Sequence, residues 1–108
     1  MITVMVKRPG SEWHKRRIAC NLYELQQICG GKVITKRIHE DLFGHNCYYA
    51  MRRDQQEGMD VNLVDTDKEM IKGVIVAFAS DAGKYIDWPH SEKETNKRTG
   101  IWGIVKTR

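Results

Sequence analysis

Apolar and β-branched positions alternate with other residues over 2–6, a period-two pattern that predicts a strand. Pro9-Gly10 marks a turn. Residues 13–18 read as the returning strand, with Trp13, Lys15 and Arg17 on one face and His14, Arg16 and Ile18 on the other. The period then changes. Asn21 is placed to cap a helix, and Glu24 stands at the spacing of a capping box. Leu22, Leu25, Ile28 and Cys29 fall on one helical face, and Gly30-Gly31 stops the helix because glycine accepts the left-handed conformation at that end. So short a helix, about residues 21–29, is marginal alone and must dock on a sheet.

Residues 32–38 predict the next strand, with Val33 and Ile34 side by side so that its buried face stays open. A loop around Gly44 covers 39–46. Residues 47–53 read as a strand, 54–58 as a turn and 59–64 as the hairpin partner of that strand. Asp65-Thr66-Asp67 breaks the pattern and starts one helical turn through Met70. Residues 73–79 form the most apolar run and predict a central strand, turned at 80–83 into a strand over 84–88 that Pro89 ends. The polar run 91–98 fits either an exposed helix or a flexible connection, and 100–105 (GIWGIV) regains strand character. Strands dominate around one helix. The expected class is therefore α+β, a mostly antiparallel sheet with the capped helix packed on it. A chain of 108 residues fits a single domain, with 89–108 as an extension or tail strand.

Composition narrows the setting. No run approaches the roughly 18 apolar residues of a membrane span. Lys7 and Arg8 interrupt any apolar leader, so no membrane contact and a cytoplasmic location are expected. Cys20, Cys29 and Cys47 are odd in number and unpaired in spacing, which points to reduced, buried thiols. Charge is uneven. Residues 1–38 carry eight Lys/Arg against two acids, and 39–108 carry ten against twelve. A basic half attracts phosphates, nucleotides or nucleic acid. The same lysines also suit a solvated sheet whose edge they protect.

No catalytic or metal signature is present. His39, His45 and Cys47 are zinc-type ligands without a Cys-x-x-Cys pair. Cys47 near His45 lacks the held base that a nucleophile needs. Asp60, Asp65 and Asp67 lack the glycine and terminal glutamate of a calcium loop. Gly30-Gly31-Lys32 lacks phosphate-loop spacing and follows a helix, whose C-terminal dipole disfavours phosphate. No enzyme activity, cofactor or metal is expected. What remains is a basic-aromatic surface. Lys15, Arg16, Arg17, Lys36, Arg37, Arg52 and Arg53 lie on three predicted strands, and Trp13, Tyr48, Tyr49, Trp88 and Trp102 offer either stacking faces or core. The expected ligand-binding set is Lys15, Arg17, Lys36, Arg37, Tyr49, Arg52 and Trp88, for an anionic nucleotide.

VKRPG, the basic strand and NLYELQQICGG, carrying Pro9, Gly10, Leu22, Leu25, Gln26, Gly30 and Gly31, resemble a family known as domain of unknown function 3846. The Glu57-Gly58 turn and the apolar strand at 73–78 resemble it as well, so the likeness spans residues 2–88. The family tail reads as a helix, whereas GIWGIV here reads as extended. The resemblance implies a phage or mobile-element setting, in the cytoplasm of a bacterial host, and a role against host defence. It brings no catalytic residues. In that setting the expectation is a non-catalytic binder, aided by homo-oligomerisation, that sequesters a nucleotide signal. The alternatives are an inhibitor that binds a host defence enzyme, through GIWGIV and Trp102, and a nucleic-acid-binding protein.

Overall fold

Alternation and local capping set the first elements in the computed structural model, which describes residues 1–19, 21–38, 40–55, 58–64 and 70–99. β1 (Ile2–Lys7) and β2 (Trp13–Ile18) form an antiparallel hairpin, in register from Ile2 opposite Ile18 to Lys7 opposite Trp13. In α1 (Leu22–Cys29) the Asn21 side chain accepts the Glu24 N–H at 2.9 Å, and Gly30 closes the helix with φ 83°. Leu25 and Cys29 are buried. Leu22, expected on the docked face, is exposed, because α1 lies on the sheet with its later turns and its first turn projects beyond that contact.

The remaining elements are β3 (Val33–Arg37), α2 (Glu40–Phe43), β4 (Cys47–Arg52), β5 (Val61–Val64), β6 (Met70–Lys72), β7 (Ile75–Asp81), β8 (Lys84–Ile86) and α3 (Glu92–Thr99). The main sheet runs β2-β1-β7-β4-β3, with β8 added to β7, and every pairing in it is antiparallel. The apolar run thus becomes the central strand, and the fold is α+β as expected.

Four expectations are corrected. The partners of β4 are β3 and β7, and residues 59–64 supply no hairpin to it. β4 is largely buried along its length and needs a strand on each side, whereas β5 pairs with β6 in a separate two-stranded sheet. Met70 opens β6 and does not close a helical turn. The loop over 39–46 contains α2, whose Leu42 and Phe43 enter the core. The strand over 84–88 stops at Ile86, and Trp88 turns inward. The polar run 91–98 resolves as α3, where the Ser91 hydroxyl accepts the Glu94 N–H at 3.0 Å and Thr95 is buried. Cys20, His39, Glu57, residues 65–69 and the expected strand over 100–105 with Trp102 lie outside the described residues.

Alternation along the strands divides the core between the two faces of the sheet. Val4, Val6, Ile18, Ala50, Val76 and Phe78 pack beneath Leu25 and Cys29 of α1. Met5, Trp13, Tyr49, Met51, Ile75 and Ala77 pack on the other face against Leu42, Phe43, Leu63, Ile71 and Trp88. Lys7, counted above as a surface charge, is fully buried. Its ammonium donates to Asn62 Oδ1 at 2.7 Å and to the Asn62 carbonyl at 3.1 Å. Asn62 Nδ2 in turn donates to the carbonyls of Lys7 and Gly73, each at 2.7 Å. Desolvation lowers the pKa of Lys7 below its ordinary 10.5.

The two edges of the sheet are finished differently. On β2, α3 supplies partners for backbone groups that face away from β1. Asn96 Oδ1 accepts the Trp13 N–H at 2.7 Å, Asn96 Nδ2 donates to the Trp13 carbonyl at 3.1 Å, and Glu92 Oε2 accepts the Lys15 N–H at 2.8 Å. A side-chain amide here does the work of a further strand. On β3, the Lys32 carbonyl and the Ile38 N–H bond to β4, so Val33, Thr35 and Arg37 point their backbone groups outward. No helix among the described residues is long and apolar enough to cross a membrane.

Candidate functional site: a basic cleft at the end of the first helix

The second glycine of the helix stop has its own use. Gly30 needs its φ of 83° to end α1, and its N–H and that of Gly31 both donate to the Gln26 carbonyl, at 2.9 and 3.0 Å. Gly31 needs space. A Cβ built there would lie 3.3 Å from Nε of Arg52, so the missing side chain admits the guanidinium against the backbone. The Arg53 N–H donates to the Lys32 carbonyl at 2.7 Å, extending the β3–β4 ladder by one bond and fixing Lys32 opposite Arg53. Gly31, Lys32, Arg52, Arg53 and Asp54 line an open cleft of about 500 Å³. A second recess of about 360 Å³, lined by Gln26, Gln27, Gly30, Gly31 and Lys32, adjoins it through their shared residues.

Three cations border this trough against one carboxylate. The Arg52–Asp54 separation is 4.0 Å and the aspartate is largely exposed, so the pair is a weak one. An arginine fork and a lysine point charge suit phosphate oxygens, and the two glutamine amides offer neutral donors and acceptors beside them.

The seven residues expected from the sequence are not brought together. Lys15 and Arg17 lie on β2, at the opposite edge of the sheet, four strand spacings or roughly 19 Å from β3. Lys36 and Arg37 are adjacent on β3 and so project to opposite faces. Arg37 lies over the ring of Tyr48, 5.9 Å from its centroid, about 13 Å along the strand from Arg52. Tyr49 and Trp88 are core residues, 3% and 5% exposed, because each points into the face that carries Phe43, Leu63 and Ile71. Their rings offer no stacking surface. Of the expected set only Arg52 lines the cleft. Gly31 and Lys32, set aside above for lacking phosphate-loop spacing, line it as well, and the two glutamines carry no such signal by residue type. The clue was the doubled glycine, since one suffices to cap a helix.

Cys47 Sγ is 3.7 Å from the Phe43 carbonyl, and His45 Nδ1 lies 2.9 Å from Glu40. Burial pushes the thiols of Cys29 and Cys47 from 9.0 up to about 11. At neutral pH both are therefore protonated and poor nucleophiles. Iodoacetamide is expected to leave Cys29 and Cys47 unmodified in the folded protein and to label both after unfolding, read by peptide mass mapping. The sign for stability follows. The unfolded chain releases these protons first, so their contribution is intact below 9.0 and declines as pH rises through about 11. Among the described residues no group of three or more His, Cys, Asp or Glu is placed to hold a metal ion.

No family model, no curated protein and no solved structure matches this chain.

Proposed function

We propose that the protein is a non-catalytic binder of a small phosphate-bearing ligand, and that the trough of Lys32, Arg52 and Arg53 beside Gly31 holds it. The supporting observation is an open cleft lined by Lys32, Arg52 and Arg53 beside Gly31, whose three charges outweigh the C-terminal dipole of α1 that disfavours phosphate there. Ground-state binding needs only charge and hydrogen-bond donors, which this trough has. The resemblance to domain of unknown function 3846 adds a setting. In a phage or mobile element, such a protein removes a nucleotide signal that a host uses for defence.

Isothermal titration with mononucleotides and cyclic dinucleotides tests this reading. At least one ligand is expected to bind, with affinity that falls as salt rises. Arg52→Glu combined with Arg53→Glu is expected to weaken binding roughly 100-fold, since two charge-assisted bonds are replaced by repulsion. The paired reversal Lys15→Glu and Arg17→Glu, at the far edge, is expected to change little. No binding by any ligand overturns the reading, as does binding lost through the β2 reversals alone.

A further inference from the structure

The unequal treatment of the two sheet edges points to an interaction surface. Edge strands are normally blunted by bulges, prolines, short length or a covering element. The first half of β2, at Trp13 and Lys15, is covered by Asn96 and Glu92 of α3. Among the described residues β3 has no bulge, proline or covering element, and its remaining defence is the charge of Lys36 and Arg37, which repels another basic strand and admits an acidic one. Its five residues hold an unbroken register with β4, from Val33 opposite Arg52 to Arg37 opposite Tyr48. No proline interrupts it. None of the described residues bonds the outward N–H and C=O groups of Val33, Thr35 and Arg37. Arg37 is drawn over the Tyr48 ring, and Thr35 is small and exposed, so a second backbone has room to approach.

Charge selects the occupant. The strand and its approach carry Lys32, Lys36 and Arg37 without an acid, and the end of β4 adds Arg52 and Arg53. Two copies joined through β3 would bring both sets of cations into one seam. We infer that the open edge of β3 takes up an extended, acidic segment of a partner protein as an added strand. The backbone ladder supplies affinity, and acidic side chains on the incoming strand meet Arg37 and the cations at the start of β3. This surface adjoins the Gly31 trough and shares the cations Lys32, Arg52 and Arg53 with it, but the backbone groups of Val33, Thr35 and Arg37 that form the ladder lie outside the trough.

The test uses a short capped peptide alternating valine with glutamate, its lysine counterpart, and amide exchange read by NMR. The acidic peptide is expected to bind and to slow exchange at Val33, Thr35 and Arg37, and the lysine peptide is not. Thr35→Pro removes one outward N–H without touching the ladder to β4, a position where an edge strand tolerates proline. It is expected to retain the fold, as read by circular dichroism, and to bind the acidic peptide roughly tenfold more weakly. Three results overturn the inference. They are no slowing of exchange at those amides with the acidic peptide, equal binding of both peptides, and protection of those amides in the protein alone, which would mean that a second copy or the chain itself occupies the edge. Should Thr35→Pro fail to fold, acidic peptide N-methylated at alternate residues takes its place. Undiminished binding of that peptide equally overturns the inference.

Discussion

Trp88→Ala is expected to destabilise the protein by about 3–5 kcal/mol, the range for deleting a large buried aromatic side chain. The residue is 5% exposed and packs edge-on against Phe43, with ring centroids 5.1 Å apart. Its indole N–H donates to the Thr95 hydroxyl at 2.9 Å, and its backbone N–H donates to the Thr3 carbonyl, also at 2.9 Å. One residue therefore joins α3 and α2 through its side chain and the start of β1 through its backbone. Trp88→Phe keeps most of the packing and loses the indole hydrogen bond, so it is expected to cost less than the alanine variant. Urea denaturation gives both values. Ligand affinity per folded molecule should be unchanged in either variant. A Trp88→Ala protein of normal stability that no longer bound nucleotide would return the ring to the binding surface.

The second large effect lies at the buried lysine. Asn62→Ala is expected to cost at least about 3 kcal/mol, because it leaves the Lys7 ammonium buried without its side-chain acceptor. The Lys7 and Gly73 carbonyls lose a donor at the same time. The combined Lys7→Met and Asn62→Leu variant removes the charge together with its partner and is expected to recover much of that loss. The pH dependence has a definite sign. The folded-state pKa of Lys7 is lowered, so its unfavourable charge acts at neutral pH and fades as pH rises from that lowered value toward 10.5. Losing Asn62 strengthens this penalty. The gap between Asn62→Ala and the parent should therefore be widest at neutral pH and narrow in alkaline buffer. Additive single and double variants would show that the pair is not coupled.

Elements governed by neighbours in sequence were legible from it. β1 and β2 follow from alternation and the Pro-Gly turn, and α1 from Asn21, Glu24 and Gly30, since each rests on contacts within a few residues. Pairing between distant strands was not. β4 and residues 59–64 look like a hairpin by spacing, yet β4 is buried deeply enough to need β3 and β7, which no local pattern reveals. α3 carried a readable signal in Ser91-x-x-Glu94, but what holds the helix is the open edge of β2, a tertiary feature. The aromatic residues mark the limit for the site. Residue type states that Trp13, Tyr49 and Trp88 are large and partly polar, and only the arrangement of the sheet decides that their rings face the core. Lys7 shows the converse, a cation that composition counts as surface and the fold encloses beside Asn62. At the trough, Arg52 was legible as a charge at a strand end. Its neighbour Gly31 matters because of a close approach to which the doubled glycine is the clue in the sequence.

Amide-resolved NMR titration with mononucleotides and cyclic dinucleotides tests the central claim most directly, because it reads both the binding and its place. The account predicts saturable shifts concentrated at Gly30, Gly31, Lys32, Arg52 and Arg53, abolished when Arg52 and Arg53 are both changed to glutamate. Spectra unchanged by every ligand would contradict it, and so would shifts confined to residues 14–17 on β2.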